Sequence, residues 1–173
     1  MIMDINTSIP QIESLSSLGY IGIRSQVFIG TLASVIPKHI DESMDWLSGK
    51  GITPIGPPII RYHMCPTVPS DDAPLEVCIG WPVSDAIMAE SPFVYDVLPE
   101  GKYASLVYEG IENGIAGNEA LIAWARNNGI IWDSWEVTDG DGFFGRVEHL
   151  LDGPEDDPDP SKWRTKVSIM IKE

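Results

Sequence analysis

The sequence predicts an α+β fold. It is read as duplicated β-β-α-β-β units with pseudo-twofold symmetry, antiparallel sheets, helices on the outside and a ligand cleft between the units. Three observations carry this reading. Asp45-Trp46-Leu47-Ser48-Gly49-Lys50-Gly51-Ile52 is echoed by Ala123-Trp124-Ala125-Arg126-Asn127-Asn128-Gly129-Ile130, each with Gly-Ile starting five residues after a Trp near a helix end. The apolar segments on either side of each echo follow one order. Between Gly30 and Gly49, Leu32, Val35, Ile36, Ile40, Met44 and Leu47 recur at three- and four-residue spacing, one face of an amphipathic helix. The repeats fall near residues 10–84 and 92–173 and make up a single domain over 1–173. A pairing of similar units leaves a groove at the seam, where small-molecule sites tend to form.

In chain order, Gln11 to Leu18 alternates as a strand and Tyr20 to Phe28 reads as a second. The helix follows and stops at Gly49 or Gly51. Pro37 marks the expected start of its regular part, because proline suits a first turn. Pro57-Pro58 precedes a third strand, Ile59 to Met64. After a Pro/Asp/Ser turn region comes the apolar fourth strand, Leu75 to Val83. Phe93 to Leu98 opens the second unit, and Lys102 to Glu109 is its next strand. Asn118 to Asn128 is helical, with Leu121, Trp124 and Ala125 inward. Ile130 to Val137 reads as an extended insertion or irregular strand, and Thr138 to Gly142 as a turn. Phe143 to Leu151 is the seventh strand and Arg164 to Ile171 the last, separated by a solvated acidic, proline-rich loop.

Composition narrows the function. The chain has 173 residues, 43% of them hydrophobic, enough for a packed core and no case for disorder. The formal charge of -15 repels phosphate backbones, so no direct nucleic-acid binding is expected. The same field favours cationic ligands, although salt screens it within about 8 Å. No apolar run approaches a membrane span, and MIMDINTSIP lacks the basic and apolar regions of a secretory signal. Two cysteines, Cys65 and Cys78, show no metal-ligand spacing. A cytoplasmic location is expected, without cofactor or metal. Starting a calcium loop at Asp139 would put Phe143 and Leu150 where ligands are required, so that motif fails.

Glu148 is the first candidate for chemistry. Period two sets Arg146, Glu148 and Leu150 on one strand face, and Val147, His149 and Leu151 on the other. A carboxylate in an aromatic pocket pairs with an organic cation, or acts as general acid or base. Locally, a salt bridge to Arg146 or Lys166 on a solvated face is the simpler reading. Tyr62, Trp81, Tyr108, Trp135 and Phe143 are the aromatic candidates for the cleft wall, since a cation over such rings gains about 0.5–2 kcal/mol. By the repeat, His63 takes in the first half the place of Glu148 in the second, and a His facing a Glu across a seam suits proton transfer.

The chain resembles the GyrI-like, or AraC-type effector-binding, family. Leu98-Pro99-Glu100-Gly101-Lys102-Tyr103-Ala104 is similar to the family's entry to its strand, and Trp124 to Ile130 to its helix end. Arg146-Val147-Glu148-His149-Leu150-Leu151-Asp152-Gly153-Pro154 is similar to the stretch carrying the cleft glutamate, and Trp163-Arg164-Thr165-Lys166-Val167 to the last strand's opening. The first half matches through Gly56 to Tyr62 and Glu76 to Val83. Two departures are Leu150, where the family has a Tyr, and a longer stretch from Ile130 to Gly142. The resemblance implies that Glu148 is the cleft glutamate. It also implies a stand-alone binder of hydrophobic, often cationic, small molecules. The alternatives it offers are hydrolysis of cyclopropane-bearing alkylating toxins, with Glu148 activating water, and a protein-partner role such as gyrase inhibition.

Overall fold

The computed structural model describes residues 5–173; residues 1–4, part of the opening segment considered above, lie outside it. Strands β1 (Gln11–Leu15) and β2 (Leu18–Phe28) lead into helix α1 (Ile29–Gly49), followed by β3 (Ile59–Pro66) and β4 (Pro74–Pro82). The second unit has β5 (Phe93–Leu98), β6 (Gly101–Glu109), helix α2 (Gly114–Asn127), the hairpin β7 (Ser134–Val137) and β8 (Gly140–Phe143), then β9 (Arg146–Leu150) and β10 (Arg164–Met170). All join one antiparallel sheet, ordered β1-β6-β10-β9-β3-β4-β2-β5, with β8 on β3 and β7 on β8. Exchanging the strands of one unit for those of the other reverses this order onto itself. The pseudo-twofold therefore runs between β3 and β9, which pair as Ile59↔His149, Ile60↔Glu148 and Arg61↔Val147. Each unit lends its first strand to the other: β1 pairs with β6, and β5 with β2.

The Trp echo is a pair of identical helix stops. Lys50 N–H donates to the carbonyls of Trp46 and Leu47, Gly51 to Ser48, and Ile52 to Leu47. Asn128, Gly129 and Ile130 repeat this onto Trp124, Ala125 and Arg126. Gly51 and Gly129 stand at φ of 70° and 68°, the left-handed position that closes a helix most cheaply with glycine.

Several boundaries differ from expectation. Helix α1 begins at Ile29 and runs through Pro37. Its first N–H groups find partners elsewhere, Ile29 on the Ala73 carbonyl and Gly30 on that of Asp71, and these contacts fix the start upstream of the proline. Helix α2 begins at Gly114, after a 3₁₀ turn at Ile111–Asn113, four residues before the expected start. The strand expected over Phe143 to Leu151 is two strands, since the chain leaves β3's far end at Phe143 and rejoins its near end from Arg146. The expected turn shrinks to Thr138 and Asp139, the latter at φ 67°, because Gly140 to Gly142 already belong to β8.

Both helices lie on one face of the sheet. Helix α1 packs over β2 and β4, and α2 over β6, which leaves β10, β9 and β3 in the interval between them. The main core joins Ile60, Val77, Ile79, Leu106, Val167 and Ile169 to Leu121 of α2 and to the half-buried Leu32, Ile36 and Ile40 of α1. On the reverse face Tyr20, Ile59, Cys78, Leu98 and Val147 form a second cluster. No helix among the described residues is long and apolar enough to cross a membrane.

His149 lies beside Lys166 on the reverse face. Burial, and then the Lys166 charge, lower its pKa from 6.5 to about 4. The unfolded chain therefore takes up this proton at a higher pH than the folded one. The stability His149 contributes is complete above pH 6.5 and declines as pH falls toward 4. Urea midpoints measured across that window should fall with acidification, and less steeply in His149→Gln. Equal slopes for the two proteins would contradict this assignment. His63 has the same sign, so some slope should remain in the variant.

Candidate functional site

Glu148 is 4% exposed, on the central strand of the interval between the helices. Pairing with Ile60 sets it on the helix-bearing face, along with Tyr62 two residues on. Tyr108 reaches it from β6 across β10, where Thr165 pairs with Tyr108 and Val167 with Glu148. The Tyr62 hydroxyl donates to Glu148 Oε1 and the Tyr108 hydroxyl to Oε2. The carboxylate thus accepts one hydrogen bond on each oxygen, one from each structural unit. Burial first, and then the Glu148 charge, push both phenols far above the usual tyrosine pKa, so both remain donors. The ion pairs considered from sequence do not form. Lys166 bonds Glu13 at 2.8 Å on the opposite face. Arg146 donates from Nη2 to Asn118 Oδ1 at 2.9 Å.

Arg146 is buried on the same face as Glu148, two residues earlier in β9. Its guanidinium carbon lies 4.7 Å from the Phe143 ring centroid and 5.9 Å from that of Tyr62. Phe143 therefore adjoins the site through Arg146. Neither Asn118 nor Arg146 figured among the expected site residues. The alternation of β9 put Arg146 beside Glu148, but nothing local showed that Asn118 would meet it.

The remaining candidates lie apart. Trp81 donates its indole N–H to the Ile40 carbonyl at 3.0 Å and packs against the cluster of Ile21, Leu47 and Val83. His63 does not face Glu148. Ile60 pairs with Glu148, so Tyr62 shares that face and meets the carboxylate, while His63 has the parity of Arg61 and is the extra residue of a bulge between Tyr62 and Met64. His63 and Trp135 line an open groove of about 510 Å³ with Arg24, Met64 and Glu76. Burial and the charges of Arg61 and Arg24 lower the His63 pKa to about 4. Trp135 packs against exposed Phe144, with ring centroids 4.7 Å apart and planes inclined at 57°. Among the described residues, no group of three His, Cys, Asp or Glu could hold a metal ion.

Gly117 sets the height of α2 over the site. A Cβ there would stand 2.5 Å from Tyr108 Cδ1, so glycine lets the helix rest directly on the ring. At Gly114 the nearest atom would be Tyr108 Oη at 3.5 Å, an ordinary contact. Gly117→Ala gains up to about 1 kcal/mol in helix propensity but pushes against a ring fixed in the core. Overpacking of that kind costs about 1–3 kcal/mol. Urea denaturation should show Gly117→Ala destabilised and Gly114→Ala unchanged or stabilised. Equal stability of the two variants would show that α2 does not press on Tyr108.

No protein-family model matches the chain, and no curated protein is significantly similar to it. Solved structures are similar in fold. The chain superposes on EcmrR in a cryo-EM structure of its DNA complex with a TM-score of 0.74 at 15% identity. That match covers 96% of this chain and 58% of EcmrR, so the chain spans little over half that protein's length. The crystal structure of the EcmrR C-terminal domain matches over 95% of this chain and 98% of the domain, with a TM-score of 0.72 at 16% identity. SAV2435 bound to tetraphenylphosphonium matches over 95% of this chain and 94% of its own, with a TM-score of 0.53 at 16% identity. A protein from Listeria innocua described as a hydrolase matches over 94% and 91%, with a TM-score of 0.59 at 12% identity. These similarities establish a shared α+β fold.

Proposed function

We propose that the chain binds a hydrophobic organic cation in the interval between α1 and α2, with Glu148 as its counter-charge. One observation carries the reading. Glu148 is a buried carboxylate whose only protein partners among the described residues are two neutral hydroxyls. A buried carboxylate with no cation in direct contact is costly, and a bound cation would offset that cost. Leu32, Ile36 and Ile40 of α1 are half-buried against the core cluster that contains Tyr62 and Tyr108, and supply an apolar wall. The fold shared with a protein that carries tetraphenylphosphonium supports the ligand class.

A second reading, hydrolysis, is favoured by the two tyrosine hydroxyls on the carboxylate. A buried glutamate can take a proton from water while a phenol donates to a departing group. The shared fold of the Listeria innocua hydrolase keeps this reading open.

Tetraphenylphosphonium and tetraphenylborate share size and shape but differ in sign. Tryptophan fluorescence should report tighter binding of the cation at physiological salt. Glu148→Gln should weaken cation binding by about 1.5–3 kcal/mol, the scale of a charge-assisted contact. Equal affinity for the borate, or an unchanged cation affinity in the variant, would reject the binding reading. Hydrolysis requires more: a strained electrophile must yield product detectable by mass spectrometry, and Glu148→Gln must stop turnover while a substrate analogue still binds.

A further inference from the structure

Three charged side chains are buried among the described residues: Arg61, Arg146 and Glu148. Two have several partners. Arg61 Nη1 donates to Tyr20 Oη at 3.0 Å, Asp96 Oδ2 at 3.2 Å and the Val97 carbonyl at 3.1 Å, and Nη2 to the Phe144 carbonyl at 3.1 Å. Glu148 has a donor on each oxygen. Arg146 differs. Its one acceptor among the described residues is the neutral amide oxygen of Asn118, and no described carboxylate lies within ion-pair distance; its Nε, like that of Arg61, is buried without a partner. The planar faces of Phe143 and Tyr62 hold the guanidinium in place but accept none of its N–H groups.

A guanidinium fixed between rings, with part of its fork unused, is a ready receiver for an oxyanion. It projects from the same strand face as Glu148, two residues away, so the two backbone positions are about 7 Å apart. The chain's charge of -15 opposes entry of a simple anion. A ligand that also carries a positive charge has no net charge to be repelled. We infer that the interval between α1 and α2 takes a zwitterionic aromatic ligand, its cationic part beside Glu148 and its carboxylate or other oxyanion on Arg146 and Asn118. This rests on the reading of the surroundings of Glu148 as a ligand site, and names the ligand class that the site selects.

A rhodamine with a free carboxyl group and the methyl ester of the same dye form a matched pair. The first is a zwitterion and the second a cation of nearly equal shape. Fluorescence anisotropy on the full chain should show the free acid binding about tenfold or more tightly than the ester. Arg146→Met, close in volume but uncharged, should bring the ester at least level with the acid. Arg146→Lys should keep part of the preference, and Glu148→Gln should weaken both dyes. Melting curves of each variant establish that it is folded. The wild-type comparison decides the matter even if Arg146→Met does not fold.

Ester binding as tight as that of the acid in the wild type would overturn the inference, as would equal weakening of both dyes by Arg146→Met. If the ester binds in a Glu148-dependent manner and the acid has no advantage, the zwitterion inference fails while the cation-binding reading stands. If neither dye binds, both fail.

Discussion

The short antiparallel contact between β3 and β9 is the constraint on which the rest of the molecule depends. Only three residue pairs make it, yet it joins the two halves of the sheet at the pseudo-twofold. It turns β9 from an edge into an interior strand, flanked by β10 and β3. Without that neighbour, Glu148 would project from a solvated sheet edge and Tyr62 would have no carboxylate to meet. Arg61 reinforces the seam, binding β2 through Tyr20, β5 through Asp96 and Val97, and the chain between β8 and β9 through Phe144. Its one ion pair among the described residues, to half-exposed Asp96, is a part of that staple.

The candidate site follows from how the helices are spaced. Helix α1 covers β2 and β4 and α2 covers β6, so the strands nearest the pseudo-twofold receive no helix of their own. Residues there are enclosed by each other and by the flanks of the helices. That allows a carboxylate to be buried yet lie next to apolar helix faces that are only half-buried. The donors come from both units, Tyr62 from the first and Tyr108 from the second. The arrangement therefore exists only once the seam has formed.

The β7–β8 hairpin accounts for much of the asymmetry between the units. It sits between α2 and β9, where the first unit runs directly from α1 toward β3. Through β8 it extends β3 beyond the point where β9 ends, and it brings Trp135 toward His63 and Arg24. Gly142 makes this possible: a Cβ there would stand 2.3 Å from Trp135 Cε2. One pair of aromatics, Trp135 and Phe144, thus lies away from Glu148, while Phe143 keeps contact with Arg146.

By itself, the sequence determined what local chemistry can encode. The Trp-x4-Gly-Ile echo specifies two helix stops because a left-handed residue after the last turn is cheapest as glycine. The 3.6 and two-residue periodicities specify α1 and the strands, and period two alone sets Arg146 and Glu148 on one face. Tertiary structure decided everything that depends on register and on distant backbone partners. The start of α1 upstream of Pro37 rests on carbonyls of residues 71 and 73, more than thirty positions along the chain. The register of β3 on β9 decides which side chain of β3 meets Glu148: Ile60 pairs with it, so Tyr62 shares its face and His63, with the parity of Arg61, does not. The partners of Glu148 and Arg146, Tyr62, Tyr108 and Asn118, are 86, 40 and 28 residues distant. No sequence periodicity spans such separations; only the palindromic order of the strands brings these groups together.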